Sequence, residues 1–257
     1  MCDAPNRQGN KHMLALTDVR HCYGQTTVLD QVSLRVHSGQ VVALTGPSGC
    51  GKTTLLHIAA RLITPPAGVV ENQFRQTAYM FQEPRLLPWR TTIDNIAFSL
   101  KARGVSRTER RQVARALAER LGLAEAHAKY PHQLSGGMRQ RVALGRALAI
   151  DADLLLMDEP FSALDIGLRR ELQDLLLRLL AERDLAVLFV SHNLAEAVRV
   201  GDELLVLSST PGRVVYRWQQ QRPHAERDDS YVYTTVATLV REPTIAASFG
   251  LRDGGVD

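Results

Sequence analysis

The chain has 257 residues, of which 45% are apolar and 23% charged, with a formal net charge of +4. These proportions are those of an ordinary globular protein and exclude disordered, collagen-like and disulfide-dense classes. The mild basic excess is compatible with nucleic acid, an acidic membrane surface or anionic ligands and selects none of them. Apolar runs such as residues 185–190 are far shorter than the roughly 20 residues of a membrane span, and residues 1–10 lack a signal-peptide core. We therefore expect a soluble protein.

Strand patterns open the chain. Residues 14–20 and 32–36 alternate between apolar and polar side chains, which predicts two strands with a turn at His37–Gly39. Residues 41–45 form a nearly continuous apolar run, which predicts a strand buried on both faces. A glycine-rich turn follows, and then a helix predicted over residues 52–63, which the next pair of prolines would end.

Between residues 91 and 149 the pattern is helical. Ser106 and Glu109 have the spacing of a capping box, and Gly122 is suited to the position after a helix. Between them lies an apolar stripe at i+4 spacing: Val113, Leu117 and Leu121.

Strand patterns return after this helical stretch. Residues 154–157, 186–190 and 203–207 predict three strands, and an amphipathic helix is predicted over residues 167–183. Strands that alternate with helices imply right-handed βαβ units and a parallel sheet. Periodicity is weak from Ser208 onward.

The three cysteines, Cys2, Cys22 and Cys50, are odd in number and have neither a disulfide-framework nor a zinc-site spacing. We expect reduced thiols in the cytosol.

A phosphate-binding loop (Walker A) is indicated at Gly46–Thr53, which matches G-x-x-x-x-G-K-[ST] in full. A buried strand before the motif and a helix after it supply the required context, so a chance glycine-rich turn is the weaker interpretation. The glycines let backbone N–H groups surround phosphate oxygens, and the helix N-terminus adds a positive dipole. Lys52 would reach the β- and γ-phosphates of a nucleotide, and the Thr53 hydroxyl would bind Mg²⁺.

Two carboxylates, Asp158 and Glu159, end the apolar run LLLM. Asp158 could hold Mg²⁺, and Glu159 could activate a water as general base. The pair favours hydrolysis over transfer to another acceptor, because water is the nucleophile that such a glutamate would serve. A surface Asp-Glu turn is the structural alternative.

The segment Leu134–Arg141 (LSGGMRQR) places a serine hydroxyl and two glycine amides at a helix start, which is a second anion site. Following a phosphate-binding loop, it makes the chain resemble the ATP-binding cassette (ABC) ATPases, although Met138 stands where the family usually has glutamine. The resemblance covers roughly residues 14–207. It implies that Ser135, Gly136 and Gly137 complete the nucleotide pocket of the opposite protomer, so that an ATP-dependent homodimer encloses two ATP molecules.

Other segments resemble further family motifs in the expected order. Tyr23 resembles the aromatic residue that stacks on adenine, with a half-buried sheet residue as the alternative. Gln82 resembles the glutamine that contacts Mg²⁺ and the attacking water, and Ser162–Asp165 resembles the D-loop. His192 resembles the histidine that senses the γ-phosphate, but Asn193 follows it where the family usually has aspartate.

The resemblance thus implies an α/β fold with a P-loop NTPase (RecA-like) core, a mixed, mainly parallel sheet, an N-terminal antiparallel β patch and an inserted helical subdomain. Residues 12–90 and 150–207 would form the ATP-binding core, 91–149 the helical subdomain and 208–257 a C-terminal tail. The implied catalytic residues are Glu159, His192 and Gln82, and the implied metal ligands are Thr53, Gln82 and Asp158. The implied nucleotide contacts are Tyr23, Gly46, Pro47, Ser48, Gly49, Cys50, Gly51, Lys52, Thr53, Thr54, Ser135, Gly136 and Gly137.

Two further segments resemble the bacterial nitrate, sulfonate and taurine importer ATPases: residues 83–89 (EPRLLPW) and 208–214 (SSTPGRV). In the family the first segment receives the coupling helix of the permease; alternatively, its apolar residues pack within the helical subdomain. The basic stretch 101–120 is interpreted as a solvated face rather than a surface for anionic lipid.

We therefore expect the ATPase subunit of a bacterial ABC importer for a small anionic solute, with ATP and Mg²⁺ as cofactors. It would lie at the cytoplasmic face of the inner membrane, bound to permease subunits and indirectly served by an extracytoplasmic binding protein. No nucleic-acid partner is expected. The alternatives are an exporter ATPase and a soluble ABC ATPase acting on nucleic acid or ribosomes.

Overall fold

The computed structural model describes residues 12–162 and 164–250; the predictions for residues 1–10, Cys2 and Ala163 fall outside them. The strands are β1 (Met13–Tyr23), β2 (Thr26–His37), β3 (Val41–Thr45), β4 (Ala67–Asn72), β5 (Thr77–Met80), β6 (Leu154–Asp158), β7 (Ala186–Val190), β8 (Glu203–Leu207) and β9 (Val214–Gln219). The helices are α1 (Lys52–Ala59), α2 (Thr92–Ile96), α3 (Phe98–Lys101), α4 (Arg107–Arg120), α5 (Gly136–Leu148), α6 (Ile166–Ala181), α7 (Leu194–Val200), α8 (Asp229–Val240) and α9 (Pro243–Ser248).

A six-stranded sheet in the order β5-β6-β7-β3-β8-β9 forms the centre of the fold. Its strands are parallel except for β9, which pairs with β8 in the antiparallel sense. Every residue of β3, β6, β7 and β8 is buried, as their continuous apolar runs predict. Alternate residues of β3 face different cores: Val41 and Ala43 pack with most of the helices, Val42 and Leu44 with α1 and the second sheet.

The second sheet is antiparallel, with the order β2-β1-β4. β1 and β2 contain the two strands predicted at the start of the chain, whereas β4 and β5 were not predicted. The predicted helix over residues 52–63 is too long, because α1 ends at Ala59 and Arg61 has a left-handed φ of 58°. The chain thus turns before it reaches the prolines.

The helices α2 to α5 occupy the stretch predicted to be helical. Ser106 caps α4 by accepting a hydrogen bond from the Glu109 N–H, and Gly122 follows the helix with a φ of 68°. The predicted apolar stripe is partly wrong: Val113 is 37% exposed, and Ala114 and Ala118 are buried instead. The buried face therefore has i+3 and i+4 spacings.

Residues 214–249 pack onto the same core as the preceding part of the chain. β9 extends the large sheet, and α8 and α9 contribute the buried side chains Val232, Leu239 and Ile245 to the larger core. In the described part of the chain, no helix combines the length and apolarity needed to cross a bilayer.

Candidate nucleotide site

The phosphate-binding loop connects β3 to α1, as predicted. Gly51 has a φ of 95°, and a Cβ there would come within 2.7 Å of Leu29 Cδ2, so this position requires glycine for two reasons. Lys52 is buried, and its Nζ donates hydrogen bonds to the carbonyl oxygens of Gly46 and Pro47, both at 2.8 Å. The lysine cation is thereby held within the curve of the loop, where phosphate oxygens would bind.

Cys50 is fully buried beneath this loop. Burial raises the pKa of its thiol, although the nearby Lys52 partly offsets this effect. A buried, protonated thiol behaves as a small apolar side chain. The contribution of Cys50 to a nucleotide site is therefore limited to its backbone.

Residues 208–213, which we call the backing segment, pack against the backbone of the phosphate-binding loop. Thr210 Oγ1 donates a hydrogen bond to the Gly49 carbonyl at 3.3 Å. Gly212 exchanges backbone hydrogen bonds with Val28 and Asp30 of β2, and a Cβ on it would overlap the Cys50 carbonyl oxygen. This contact was not predicted from the sequence, which indicated only that the segment resembles relatives.

Thr53 and Asp158 meet at the carboxyl end of the large sheet. The Thr53 Oγ1 hydroxyl donates a hydrogen bond to Asp158 Oδ1 at 3.1 Å. Burial raises the pKa of the Asp158 carboxyl, and the Glu159 charge adds to this, while Thr53, His57 and Lys52 lower it in part. Hydroxyl and carboxylate oxygens are the donor set that Mg²⁺ prefers. The residues present therefore fit this ion.

Glu159 lies between the other two predicted catalytic side chains. Its Oε2 accepts a hydrogen bond from Gln82 Nε2 at 3.1 Å and lies 3.3 Å from His192 Nδ1. Its backbone has a φ of 45°, which is uncommon for a residue other than glycine. Two side chains that are widely separated in the sequence thus converge on the Glu159 carboxylate.

Asn193 caps α7 by accepting a hydrogen bond from the Ala195 N–H at 2.9 Å. Asparagine and aspartate are equally good caps. The departure from the family's usual aspartate therefore preserves the start of the helix after His192.

A cavity of about 400 Å³ lies between the phosphate-binding loop, the β1–β2 hairpin and Glu159, whereas Gln82, Asp158 and His192 are not among its lining residues. Its lining is Tyr23, Val28, Ser48, Gly49, Gly51, Lys52, Thr53, Thr54 and Glu159. Tyr23 is the last residue of β1 and is 54% exposed, so a sheet position and an accessible ring occur together in this residue. The ring of His21 lies edge-on to it at 4.8 Å between centroids. The exposed ring of Tyr23 therefore forms the aromatic part of the cavity lining.

Ser135, Gly136 and Gly137 of the LSGG segment lie apart from this cavity, at the start of α5. Ser135 caps the helix by accepting a hydrogen bond from the Met138 N–H at 3.2 Å. Gly136 and Gly137 form its first turn, and a Cβ at Gly137 would come within 3.0 Å of Leu168 on α6. None of the three is among the residues that line the cavity.

Sequence reasoning missed two residues that connect α5 to the segment around Gln82. Gln140 Nε2 donates a hydrogen bond to the Gln82 carbonyl at 3.1 Å. Arg146 donates to the carbonyls of Pro84 and Arg85 at 2.7 and 2.8 Å, and burial lowers the pKa of its guanidinium. Both lie in the helix after LSGG, but no local pattern identifies their partners.

The predicted D-loop spans the turn between Glu159 and α6. Ser162 donates from its backbone and side chain to the Glu159 carbonyl at 3.3 and 3.0 Å. Asp165 caps α6 by accepting from the Leu168 N–H at 2.9 Å. The turn is thus fixed at both ends.

A phosphate-binding loop after β3 of a parallel sheet, with an aspartate and a glutamate at the carboxyl end of β6, on the far side of β7, defines a P-loop NTPase. Comparisons with known proteins refine this class. The family model described as "ABC transporter" matches residues 29–162. The chain is 45% identical over 202 residues to the taurine import ATP-binding protein TauB of Yersinia pestis, covering 76% of this chain and 79% of that protein.

Further similar proteins are also ABC transporter ATPases. Identity is 46% over 215 residues with TauB of Chromobacterium violaceum, covering 79% of this chain and 82% of the relative. It is 41% over 212 residues with TauB of Escherichia coli K12, covering 80% and 83%. A solved dimeric structure of MJ0796, a bacterial ABC transporter cassette, superposes with a TM-score of 0.73 at 29% identity, covering 82% of this chain and all of that one. The chain belongs to the ABC transporter family as an ATPase subunit, and its expected fold class is confirmed.

Proposed function

We propose that this chain powers a bacterial importer of a small sulfonate such as taurine, by coupling ATP binding, dimer closure and hydrolysis to transport through a separate permease. The observation that carries the proposal is the convergence of Gln82 and His192 on the Glu159 carboxylate, beside the phosphate-binding loop. The relatives named for taurine import suggest the solute.

ATP would bind along the cavity. Tyr23 would stack on adenine, because its exposed ring is the aromatic face of the cavity lining. Backbone N–H groups of residues 48–54 would bind the phosphates, and Lys52 would exchange its carbonyl partners for phosphate oxygens.

Thr53 and Asp158 would hold Mg²⁺, with Gln82 as a further oxygen ligand. When bound, the ion would neutralise charge that develops on the phosphate oxygens. Glu159 would take a proton from the attacking water. His192, at 3.3 Å from the same carboxylate, would orient it and contact the γ-phosphate.

A second copy of the chain would complete each site. Ser135, Gly136 and Gly137 lie outside the cavity of their own chain but present a hydroxyl and two amides at a helix N-terminus. Opposed head-to-tail, each set would contact the phosphates bound by the other protomer. The dimeric state of the solved relative supports this arrangement.

The permease would dock on residues 83–89. Trp89 is 69% exposed, whereas Leu86 packs against the core, so the segment both anchors itself and offers an apolar surface. Arg146 hydrogen-bonds this segment to α5, and Gln140 does the same for the adjoining Gln82. This position would place the chain peripherally at the cytoplasmic face of the inner membrane, with an extracytoplasmic binding protein delivering the solute.

The test is uptake of radiolabelled taurine by the encoding bacterium after deletion of this gene. We expect complementation by the wild type but not by Glu159→Gln, with Lys101→Gln on the exposed basic stretch as a control that restores uptake. Affinity-tagged Glu159→Gln, with ATP and Mg²⁺, should recover a multi-span permease from detergent-solubilised membranes. Unchanged taurine uptake in the deletion strain, or recovery of nucleic acid instead of a permease, would contradict the proposal.

A further inference from the structure

A buried carboxylate lies behind the histidine segment. Glu196 on α7 is 5% exposed, and its Oε2 accepts a hydrogen bond from Ser191 Oγ at 2.5 Å. Its Oε1 lies 3.4 Å from Arg169 Nε on α6, an ion-pair distance without the alignment of a hydrogen bond. Burying a carboxylate costs free energy that only well-placed partners offset. The position of Glu196 therefore calls for an explanation.

Arg169 also contacts the turn that follows Glu159. Its second terminal nitrogen (Nη2) donates a hydrogen bond to the Leu164 carbonyl at 3.0 Å. Leu164 belongs to the turn whose other end is fixed by Ser162 hydrogen bonds to the Glu159 carbonyl. One arginine thus links the turn after Glu159 to the carboxylate that holds Ser191.

The contacts form a closed ring. Ser191 is adjacent to His192, and His192 Nδ1 lies 3.3 Å from Glu159 Oε2. From Glu159 the ring continues through the turn to Leu164 and Arg169, and then through Glu196 back to Ser191. Glu159 is therefore part of this ring through both its side chain, which meets His192, and its backbone carbonyl, which meets Ser162.

Glu159 needs such support. Its φ of 45° lies in the left-handed region, and such a conformation persists only where contacts in the surrounding structure offset its cost. Its N–H donates to the Val190 carbonyl at 3.0 Å, immediately before Ser191. The segment around Ser191 thus fixes the glutamate at its backbone, and the Glu196–Arg169 pair fixes that segment relative to the turn.

We propose that Arg169 and Glu196 are positioning residues for hydrolysis, which hold the His192 segment and the turn after Glu159 at the separation that brings the two side chains together. This inference rests on the proposed roles of Glu159 and His192. Neither Arg169 nor Glu196 would touch the nucleotide, so their loss should slow turnover and leave ATP affinity intact.

The pair is not needed merely to join its two helices. Asp229 forms ion pairs with both Arg170 of α6 and Arg199 of α7, which is a second tie between these helices. Arg170 also pairs with Asp174. Arg170 is thus a matched control: it neighbours Arg169 on the same helix, and the ion pairs that the structure describes for it lead away from Leu164 and Ser191.

The experiment compares Arg169→Gln, Glu196→Gln and Arg170→Gln in steady-state ATP hydrolysis, nucleotide titration and thermal unfolding. We expect the first two to lower kcat at least about tenfold while the Kd for ATP stays within about twofold, and Arg170→Gln to change kcat less than about twofold. The double variant should be no slower than the slower single variant, because both break one ring. Arg169→Lys, which keeps the charge, should restore part of kcat.

Two results would overturn the inference: a kcat for Glu196→Gln within twofold of the wild type, or equal losses of kcat in Arg169→Gln and Arg170→Gln at equal Tm. If Arg169→Gln does not fold, Glu196→Gln decides, because it keeps the shape of the side chain. Turnover by Glu159→Gln at the wild-type rate would instead contradict the proposed function itself. The two failures are therefore distinguishable.

Discussion

Thr53 Oγ1 and Asp158 Oδ1 lie 3.1 Å apart although 105 positions separate the two residues in the sequence. The order of strands in the large sheet produces this contact, because β3 and β6 are both neighbours of β7 and end at the same edge. Two oxygen donors at the N-terminus of α1 are therefore assembled by the fold before any ion binds. The hydrogen bond between them fixes their spacing.

Asp158→Asn should weaken metal binding, because it removes a negative charge from one of these donors. We expect the Mg²⁺ concentration for half-maximal ATP hydrolysis to rise at least about tenfold. The measurement is hydrolysis against Mg²⁺ at fixed ATP, with Thr53→Ser, which keeps the hydroxyl, as the control with a nearly unchanged midpoint. An unaltered midpoint in Asp158→Asn would remove this residue from the metal site.

Glu159→Gln should abolish turnover and preserve nucleotide binding. The amide keeps the size of the side chain and can still meet Gln82 and His192, but it cannot accept a proton from water. We expect kcat to fall at least about 100-fold, with a Kd for ATP close to that of the wild type. Single-turnover hydrolysis and titration with a fluorescent ATP analogue measure the two quantities. Hydrolysis at the wild-type rate would refute the role as general base.

Glu196→Gln should change how stability depends on pH. Burial raises the pKa of the Glu196 carboxyl, with a smaller contribution from Glu159, while Ser191, Arg169 and His192 lower it in part. A carboxyl whose folded pKa exceeds its unfolded pKa stabilises the protein at low pH and loses that contribution as the pH rises through the folded pKa. The glutamine variant lacks this loss.

The free energy of unfolding of the variant, relative to wild type, should therefore increase from about pH 4 to about pH 7. Urea denaturation at the two pH values measures the difference. A relative stability that is constant, or that decreases over this range, would show that the carboxyl is not penalised by its burial.

Ile245→Ala should destabilise the whole chain, because Ile245 of α9 is fully buried in the larger core. Truncation of a buried isoleucine costs about 2–5 kcal/mol. Chemical denaturation should show one transition at lower denaturant, while Tyr233→Ala, at an exposed position of α8, should change the midpoint little. A separate early transition in Ile245→Ala would instead mean that the C-terminal helices unfold independently.

The sequence predicts the parts of the site that depend on local chemistry. The glycines of the phosphate-binding loop, the apolar strand before it and the carboxylates after β6 each have a pattern within a few residues. The contacts of Glu196, Arg169, Gln140 and Arg146 have none, because each joins elements that only the tertiary structure brings together.

The prediction of secondary structure near the C-terminus fails because it too depends on tertiary contacts. α8 is rich in Val, Thr and Tyr, which favour strands, and the helix depends on its packing against the core together with the N-terminal cap from Asp228. β9, by contrast, has a two-residue period: Val214, Tyr216 and Trp218 point inward. This strand was nevertheless not predicted, because the pattern is short and occurs where the overall periodicity is weak.

The backing segment limits where this chain can be truncated from its C-terminal side. Leu207 ends the last of the buried parallel strands, which makes it an attractive end point for a minimal ATP-binding unit. A chain that stopped there would lack the Thr210 hydroxyl bonded to Gly49 and the Gly212 backbone packed against Cys50. Shortened versions, fusions and C-terminal tags that disturb residues 208–213 would therefore act on the nucleotide loop itself, from a distance of more than 150 residues along the chain.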